Sequence, residues 1–207
     1  MLVIHEWTGI GDYVKRRCEQ LARLGYVAFA ADIYGKGVRP KTSQEAGAEA
    51  SKFRSDRKLM RARAQAGLRA LKESPGVDPG RVAAIGYCFG GGTALELARS
   101  GAPLKGTVSF HGNLDTPDPA DARNIKGKVL VLQGGADPIA PFTQALALSQ
   151  EFEAAHADYR IVVYGGAKHS FTNRASDGSL AGALYDPKAD AASWEEMKAF
   201  LASVLGF

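Results

Sequence analysis

Ala83-Ala84-Ile85-Gly86-Tyr87-Cys88-Phe89-Gly90-Gly91-Gly92-Thr93 reads as a short apolar strand that enters a turn crowded with glycines. It leaves as the helix Thr93-Ala94-Leu95-Glu96-Leu97-Ala98. Gly86 and Gly90 bracket Cys88 in the pattern G-x-C-x-G, the cysteine form of a nucleophile elbow. A residue at such an apex is held in a strained backbone conformation. Side chains two positions before or after it would collide with the neighbouring strand or helix. The helix that follows points its N-terminal N–H groups and positive dipole end at the sulfur, which favours thiolate over thiol. Glycine is common in this chain, at 24 of 207 residues, so the pattern gains its weight from the strand before it, the helix after it and partners further along.

Strand and helix signals alternate outward from this turn in both directions. Leu2 to His5 ends a strand, and a helix is expected from about Asp12 to Leu24, with Val14, Cys18, Leu21 and Ala22 near one face and Gly25 as its stop. Tyr26 to Ala31 reads as a second buried strand, and roughly Gln44 to Lys72 as one long helix closed by Ser74-Pro75-Gly76. Beyond the elbow come a strand over Leu104 to Phe110, a polar excursion over Asn113 to Lys126 and a strand over Lys128 to Gln133. A helix over Pro141 to His156, a last strand over Tyr159 to Tyr164 and a closing helix over Asp190 to Leu205 complete the chain. Continuous apolar strands alternating with helices predict one α/β domain, a mostly parallel sheet covered on both faces.

Active sites of such sheets lie at the carboxyl ends of the strands, and four polar outliers fall there. Glu6 follows the first strand, Cys88 the third, Asp137 the fifth and His169 the sixth. A thiol nucleophile needs a base, and the base needs an orienting group. Gly134-Gly135-Ala136-Asp137-Pro138 places a carboxylate in a turn after a strand, and Gly165-Gly166-Ala167-Lys168-His169-Ser170-Phe171 places an imidazole in a flexible loop. Asp137 also reads as a helix cap, Glu6 as a plain ion-pair partner, and His5 and His111 as structural histidines without metal-ligand spacing. No phosphate-loop pattern accompanies the glycines at 90 to 92, and no cofactor or metal is expected.

These residues carry a resemblance. His5-Glu6-Trp7, Ala31-Asp32-Ile33-Tyr34-Gly35, Gly86-Tyr87-Cys88-Phe89-Gly90-Gly91, Phe110-His111-Gly112, Gly134-Gly135-Ala136-Asp137-Pro138 and His169-Ser170-Phe171 together resemble the dienelactone hydrolase family of α/β-hydrolases, over nearly the whole chain. The resemblance implies ester or lactone hydrolysis with Cys88 as nucleophile, His169 as general base and acid, and Asp137 as its orienter. It implies a glutamate, Glu6, in contact with the resting thiol, and an oxyanion hole made by the backbone N–H groups of Phe89 and Trp7. Two departures stand out. The family has two further strands before the first one here, so the Tyr26 to Ala31 strand is expected at a sheet edge, with a homodimer as one consequence. The arginine that dicarboxylate-type members carry two residues after His-Ser-Phe is replaced by Asn173, with Arg174 one position on. That substitution argues against an anionic lactone. Trp7, Phe89, Tyr87, Ile139, Phe142 and Phe171 are expected to line an apolar pocket for an aryl or short acyl ester, or an activated aryl phosphotriester.

Composition bounds the alternatives. Hydrophobic residues make up 45% and charged residues 23%, an ordinary globular balance. No apolar run approaches the ~20 residues of a membrane span, and Met1-Leu2-Val3-Ile4 does not read as a signal peptide. Two cysteines make no disulfide framework, so a reducing cytoplasm is expected, with Cys18 as plain core. The net charge of +4 does not by itself indicate nucleic acid, and the basic stretch Lys52 to Arg63 reads as a solvated helix face. The rival from another class is a redox-sensing or binding module that keeps the fold without catalysis.

Overall fold

The computed structural model describes residues 1–206. Six strands form one all-parallel sheet: β1 (Leu2–Ile4), β2 (Phe29–Ala31), β3 (Ala83–Tyr87), β4 (Gly106–Phe110), β5 (Lys128–Gly134) and β6 (Tyr159–Tyr164). Their spatial order is β2-β1-β3-β4-β5-β6. The chain winds one way from β1 to β2, then crosses back and winds the other way from β3 onward. The winding therefore reverses between β1 and β3, and the crevice at such a switch point is where open parallel sheets bind ligands. Glu6 and Cys88 leave the sheet on either side of it.

Helices α1 (Asp12–Arg23) and α6 (Pro187–Leu205) cover one face of the sheet. Helices α2 (Ser43–Ser55), α3 (Arg57–Lys72), α4 (Phe89–Arg99) and α5 (Phe142–Ala155) cover the other. The period-two alternation of strands sorts the core between the layers. Leu2, Ile4 and Ala84 pack with Phe53, Met60 and Leu68, whereas Val3, Ile85 and Tyr87 pack with Val14, Leu21 and Met197. Each large apolar side chain removed from water in this way contributes about 1.5–3 kcal/mol.

Three elements differ from the sequence expectation. The long helix is two helices, because Asp56 leaves helical geometry (φ −123°, ψ 84°) and caps α3 by accepting a hydrogen bond from Leu59 N at 2.9 Å. The basic stretch is not wholly solvated: Arg57 pairs with Asp115, and Arg61 reaches both Asp121 and the fully buried Glu96. On α1 the buried positions are Val14, Arg17 and Leu21, while Cys18 is half-buried. Arg17 occupies the interior because its charge is matched there. It donates to Asp190 Oδ1 at 2.5 Å and to Thr172 O at 2.8 Å, and its guanidinium lies over the rings of Tyr13, Tyr87 and Trp194. The second strand is short, Phe29–Ala31, and lies at the end of the sheet. None of the described helices is long and apolar enough to cross a membrane.

Candidate active site

Cys88 stands between β3 and α4 with φ 54° and ψ −118°, a conformation that L residues rarely adopt. Two crowded glycines explain why the bend is possible. A Cβ on Gly86 would sit 1.8 Å from Gly90 O, and one on Gly90 would sit 2.3 Å from Ile4 O. The bend is tied to the sheet by Cys88 N, which donates to Phe110 O at 3.0 Å. The sulfur is buried at the N-terminus of α4.

His169 Nε2 lies 3.1 Å from Cys88 Sγ, and its Nδ1 lies 2.8 Å from Asp137 Oδ2. The imidazole is buried, and its loop is pinned by backbone bonds from His169 N to Gly182 O and from Leu184 N to His169 O. Burial by itself would lower the pKa of His169. The sulfur and the Asp137 carboxylate beside it outweigh that effect and push the pKa up to about 10. Asp137 divides its two oxygens between its own turn and the imidazole. Its Oδ1 accepts from Ile139 N (2.8 Å) and Ala140 N (2.9 Å), which closes the turn, while Oδ2 faces the imidazole.

Glu6 is buried and does not bond the thiol. Its Oε2 accepts from Asn173 Nδ2 at 2.7 Å, and its Oε1 has no hydrogen-bond partner among the described residues. Burial raises its pKa to about 7, against the pull of Asn173, His169, Arg17 and Arg16. The N–H groups of Trp7 and Phe89 have no protein acceptor among the described residues, and the Trp7 segment is held by Tyr34 OH donating to Trp7 O at 2.6 Å. A cleft of about 230 Å³ opens over Cys88 and His169, walled by Trp7, Ile139, Leu180 and one face of α2.

A dienelactone hydrolase family model matches residues 1–205. The chain belongs to the dienelactone hydrolase family. It is 39% identical to a dienelactone hydrolase-like promiscuous phosphotriesterase from metagenomic libraries, whose structure superposes with a TM-score of 0.94 over 98% of this chain and 85% of that one. A protein of Saccharolobus solfataricus, named as a presumed carboxymethylenebutenolidase, is 29% identical over 99% of this chain and 89% of its own length. A dienelactone hydrolase from Anabaena variabilis shares the fold at 18% identity, with a TM-score of 0.69 over 99% of this chain and 86% of that one.

Against the family pattern, the structure brings Cys88, His169 and Asp137 together and keeps Glu6 nearby but turned to Asn173. Of the residues expected to line the pocket, Trp7 and Ile139 do so. Tyr87 does not. It shares the face of Ile85, so its ring is buried on the α1 side, stacked on Phe110 with centroids 4.6 Å apart. Phe171 packs inward against Tyr164 and His111 and supports the His169 loop from below. Phe142 opens α5 and is 45% exposed, outside the cleft wall. The Phe89 ring joins His5, Tyr34 and Phe53 in the core, which leaves its backbone N–H at the site. His5 and His111 do not line the cleft. Both ring nitrogens of His5 are bonded to backbone, and His111 Nε2 lies 2.7 Å from Thr172 Oγ1.

Sequence reasoning missed the wall made by α2: Gly47, Ala50, Ser51 and Arg54. The signal was present, since these residues recur at i, i+3, i+4 and i+7, a single helical stripe. Their small size hid it, because an apolar-periodicity search passes over glycine and serine. Arg54 is the one charged residue on that stripe. Its Nη2 donates to Asn113 Oδ1 at 2.5 Å, and no carboxylate pairs with it among the described residues.

Proposed function

We propose that this protein hydrolyses small carboxylic esters and lactones through a covalent thioester on Cys88. The observation that carries the reading is the continuous relay Asp137 Oδ2, His169 Nδ1, His169 Nε2, Cys88 Sγ, with contacts of 2.8 and 3.1 Å, ending on a thiol at a strained bend and a helix N-terminus. The raised pKa of His169 favours a protonated imidazole beside the sulfur, and α4 presents its positive dipole end to the same atom.

In this reading the thiolate attacks the carbonyl carbon, and the carbonyl electrons move to an oxyanion received by the N–H groups of Phe89 and Trp7. Collapse breaks the carbon–oxygen bond, and the imidazolium gives its proton to the departing alkoxide. Neutral His169 then takes a proton from water, the hydroxide attacks the thioester, and the thiolate leaves as the acid product departs. Asp137 holds the imidazole with Nε2 toward the sulfur throughout. The cleft is smaller than the 300–1,000 Å³ typical of drug-sized ligands, which supports a single ring or short acyl group. Its lone guanidinium, Arg54, supports a carboxylate at the far end of that substrate and replaces, from another element, the cation that Asn173 does not supply.

A second reading rests on the 39%-identical structural neighbour described as a promiscuous phosphotriesterase. The same thiolate would attack an activated aryl phosphotriester and expel aryloxide. Pre-steady-state hydrolysis of p-nitrophenyl acetate and of paraoxon, by wild type and Cys88→Ala, tests both. A burst stoichiometric with enzyme on the ester, absent from the variant, is expected. Equal inactivity of the two proteins on every ester, lactone and triester tried would favour the redox-sensing or binding module instead.

A further inference from the structure

The family resemblance implies a glutamate in contact with the thiol, yet here the sulfur is bonded to His169 and the glutamate to Asn173. The amide of Asn173 is fixed on every side. Its Oδ1 accepts from Ala175 N at 3.0 Å, its backbone N donates to Ser170 O at 2.9 Å, and its backbone O accepts from Ser176 N at 2.9 Å. That leaves Nδ2 as the end that addresses Glu6, and it does so at 2.7 Å. The other carboxylate oxygen, Oε1, is buried without a partner, so no second bond holds the group where it is.

We propose that Asn173 is a positioning residue that holds the Glu6 carboxylate off the thiol, so that the hydrogen-bond partner of Cys88 is His169. The inference rests on the catalytic reading above and deepens it. A carboxylate free to reach the sulfur accepts the S–H bond, and the thiol then stays neutral to higher pH because two adjacent anions do not form together. With the carboxylate tied to Asn173, the proton on sulfur has His169 as its acceptor. The groups facing Glu6 are Tyr13, Arg16 and Arg17 from α1, Tyr87 from the end of β3, and His169 with Asn173 from the loop after β6. Arg16 and Arg17 attract the anion from the α1 side. Asn173 is the only one of the set that donates a hydrogen bond to it.

The test is the rate of Cys88 alkylation by iodoacetamide against pH, in a Cys18→Ser background so that a single thiol is read. Asn173→Ser is the informative variant: a serine hydroxyl still accepts from Ala175 N in the turn but is too short to reach Glu6. Asn173→Ala, with near-ultraviolet circular dichroism as a check on folding, covers a local failure of the first. The alkylation midpoint is expected to rise by about one pH unit in both variants, the worth of one charge-assisted hydrogen bond. In a Glu6→Gln background the same substitutions should leave the midpoint in place. Profiles that overlay wild type, or a rise that persists in the Glu6→Gln background, would overturn the positioning role. A wild-type thiol that titrates at its ordinary value and ignores His169→Ala would remove the catalytic reading, and this inference with it.

Discussion

Replacing Glu6 by glutamine is expected to make the protein more stable in alkaline solution and no more stable in acid. The carboxyl is buried, with one oxygen bonded to Asn173 and the other to nothing, and burial moves its pKa from 4.5 to about 7. A group whose pKa is raised on folding contributes stability below its unfolded value and loses it as pH climbs through the folded one. The wild-type protein therefore loses stability between about pH 4.5 and 7 on account of Glu6, by an amount that levels off at about 3 kcal/mol. Glutamine has no such transition. Its carbonyl can still accept from Asn173, and its NH₂ takes the place of the unpartnered Oε1 at a cost of about 1 kcal/mol that does not vary with pH.

The readout is thus a slope and not an offset. Thermal unfolding of wild type and Glu6→Gln, measured in parallel from acid to alkaline pH, should give midpoints that diverge through the neutral range. For a chain of this length 1 kcal/mol corresponds to about 2–4 °C, so the relative gain of the variant should reach about 6–12 °C on the alkaline plateau. His169 adds its own loss of stability as pH rises from 6.5 toward about 10, but that slope is common to both proteins. A difference that stays flat with pH would refute the reasoning. A wild type that gains on the variant in alkali would reverse it, by showing that the carboxylate is stabilised where it lies.

Two further outcomes separate the roles of neighbouring groups. Asp137→Asn keeps an oxygen for the Ile139 and Ala140 N–H groups but turns an NH₂ toward His169; acylation should fall by about a thousandfold or more with stability nearly intact. Asp137→Ala should lose that activity and, in addition, about 1–2 kcal/mol of stability, because the turn is no longer closed; equal stability of the two variants in urea would count against the split role. Arg54→Leu should raise KM about tenfold to a hundredfold for an ester carrying a carboxylate, the worth of one charged hydrogen bond, and leave p-nitrophenyl acetate unchanged. An equal effect on both substrates would show that Arg54 shapes the cleft without reading charge.

The parts legible in the sequence were those where one residue type satisfies a geometric demand. At positions 86 and 90 any side chain meets backbone at 1.8 and 2.3 Å, so the glycines alone disclose a bend with Cys88 at its apex. Strand ends of a parallel sheet converge on one edge, and that alone predicts Glu6, Asp137 and His169 near Cys88. What stayed hidden depends on which way a side chain leaves the backbone. Tyr87 and Phe171 are aromatic neighbours of Cys88 and His169 in the chain, yet strand alternation sends Tyr87 to the α1 layer, and the positive φ of Ser170, 56°, accompanies the turn that buries Phe171 beneath the loop. Adjacency in sequence is not adjacency at the cleft for these two rings.

Partner choice was hidden for a different reason. Glu6 has Asn173, His169 and two arginines within reach, and a sequence cannot rank them. The ranking follows from Asn173, whose other polar atoms are consumed by its own turn, leaving one donor aimed at one carboxylate oxygen. In the proposed reading, the residue read from sequence as a lost substrate contact has an inward task, and recognition of charge falls to Arg54, which is held by Asn113 and lies on α2, a helix that carries none of the family's signature residues. On this account the cleft's selectivity and the thiol's proton are governed by separate elements, α2 and the loop after β6. Variants at Arg54 should therefore leave the pH profile of Cys88 unmoved, and variants at Asn173 should leave the preference for charged over neutral esters unmoved. Kinetics of Arg54→Leu and Asn173→Ser on a charged and a neutral ester across pH would expose any cross-effect, and a cross-effect of more than about threefold, roughly 0.7 kcal/mol, would mean that the two elements act as one.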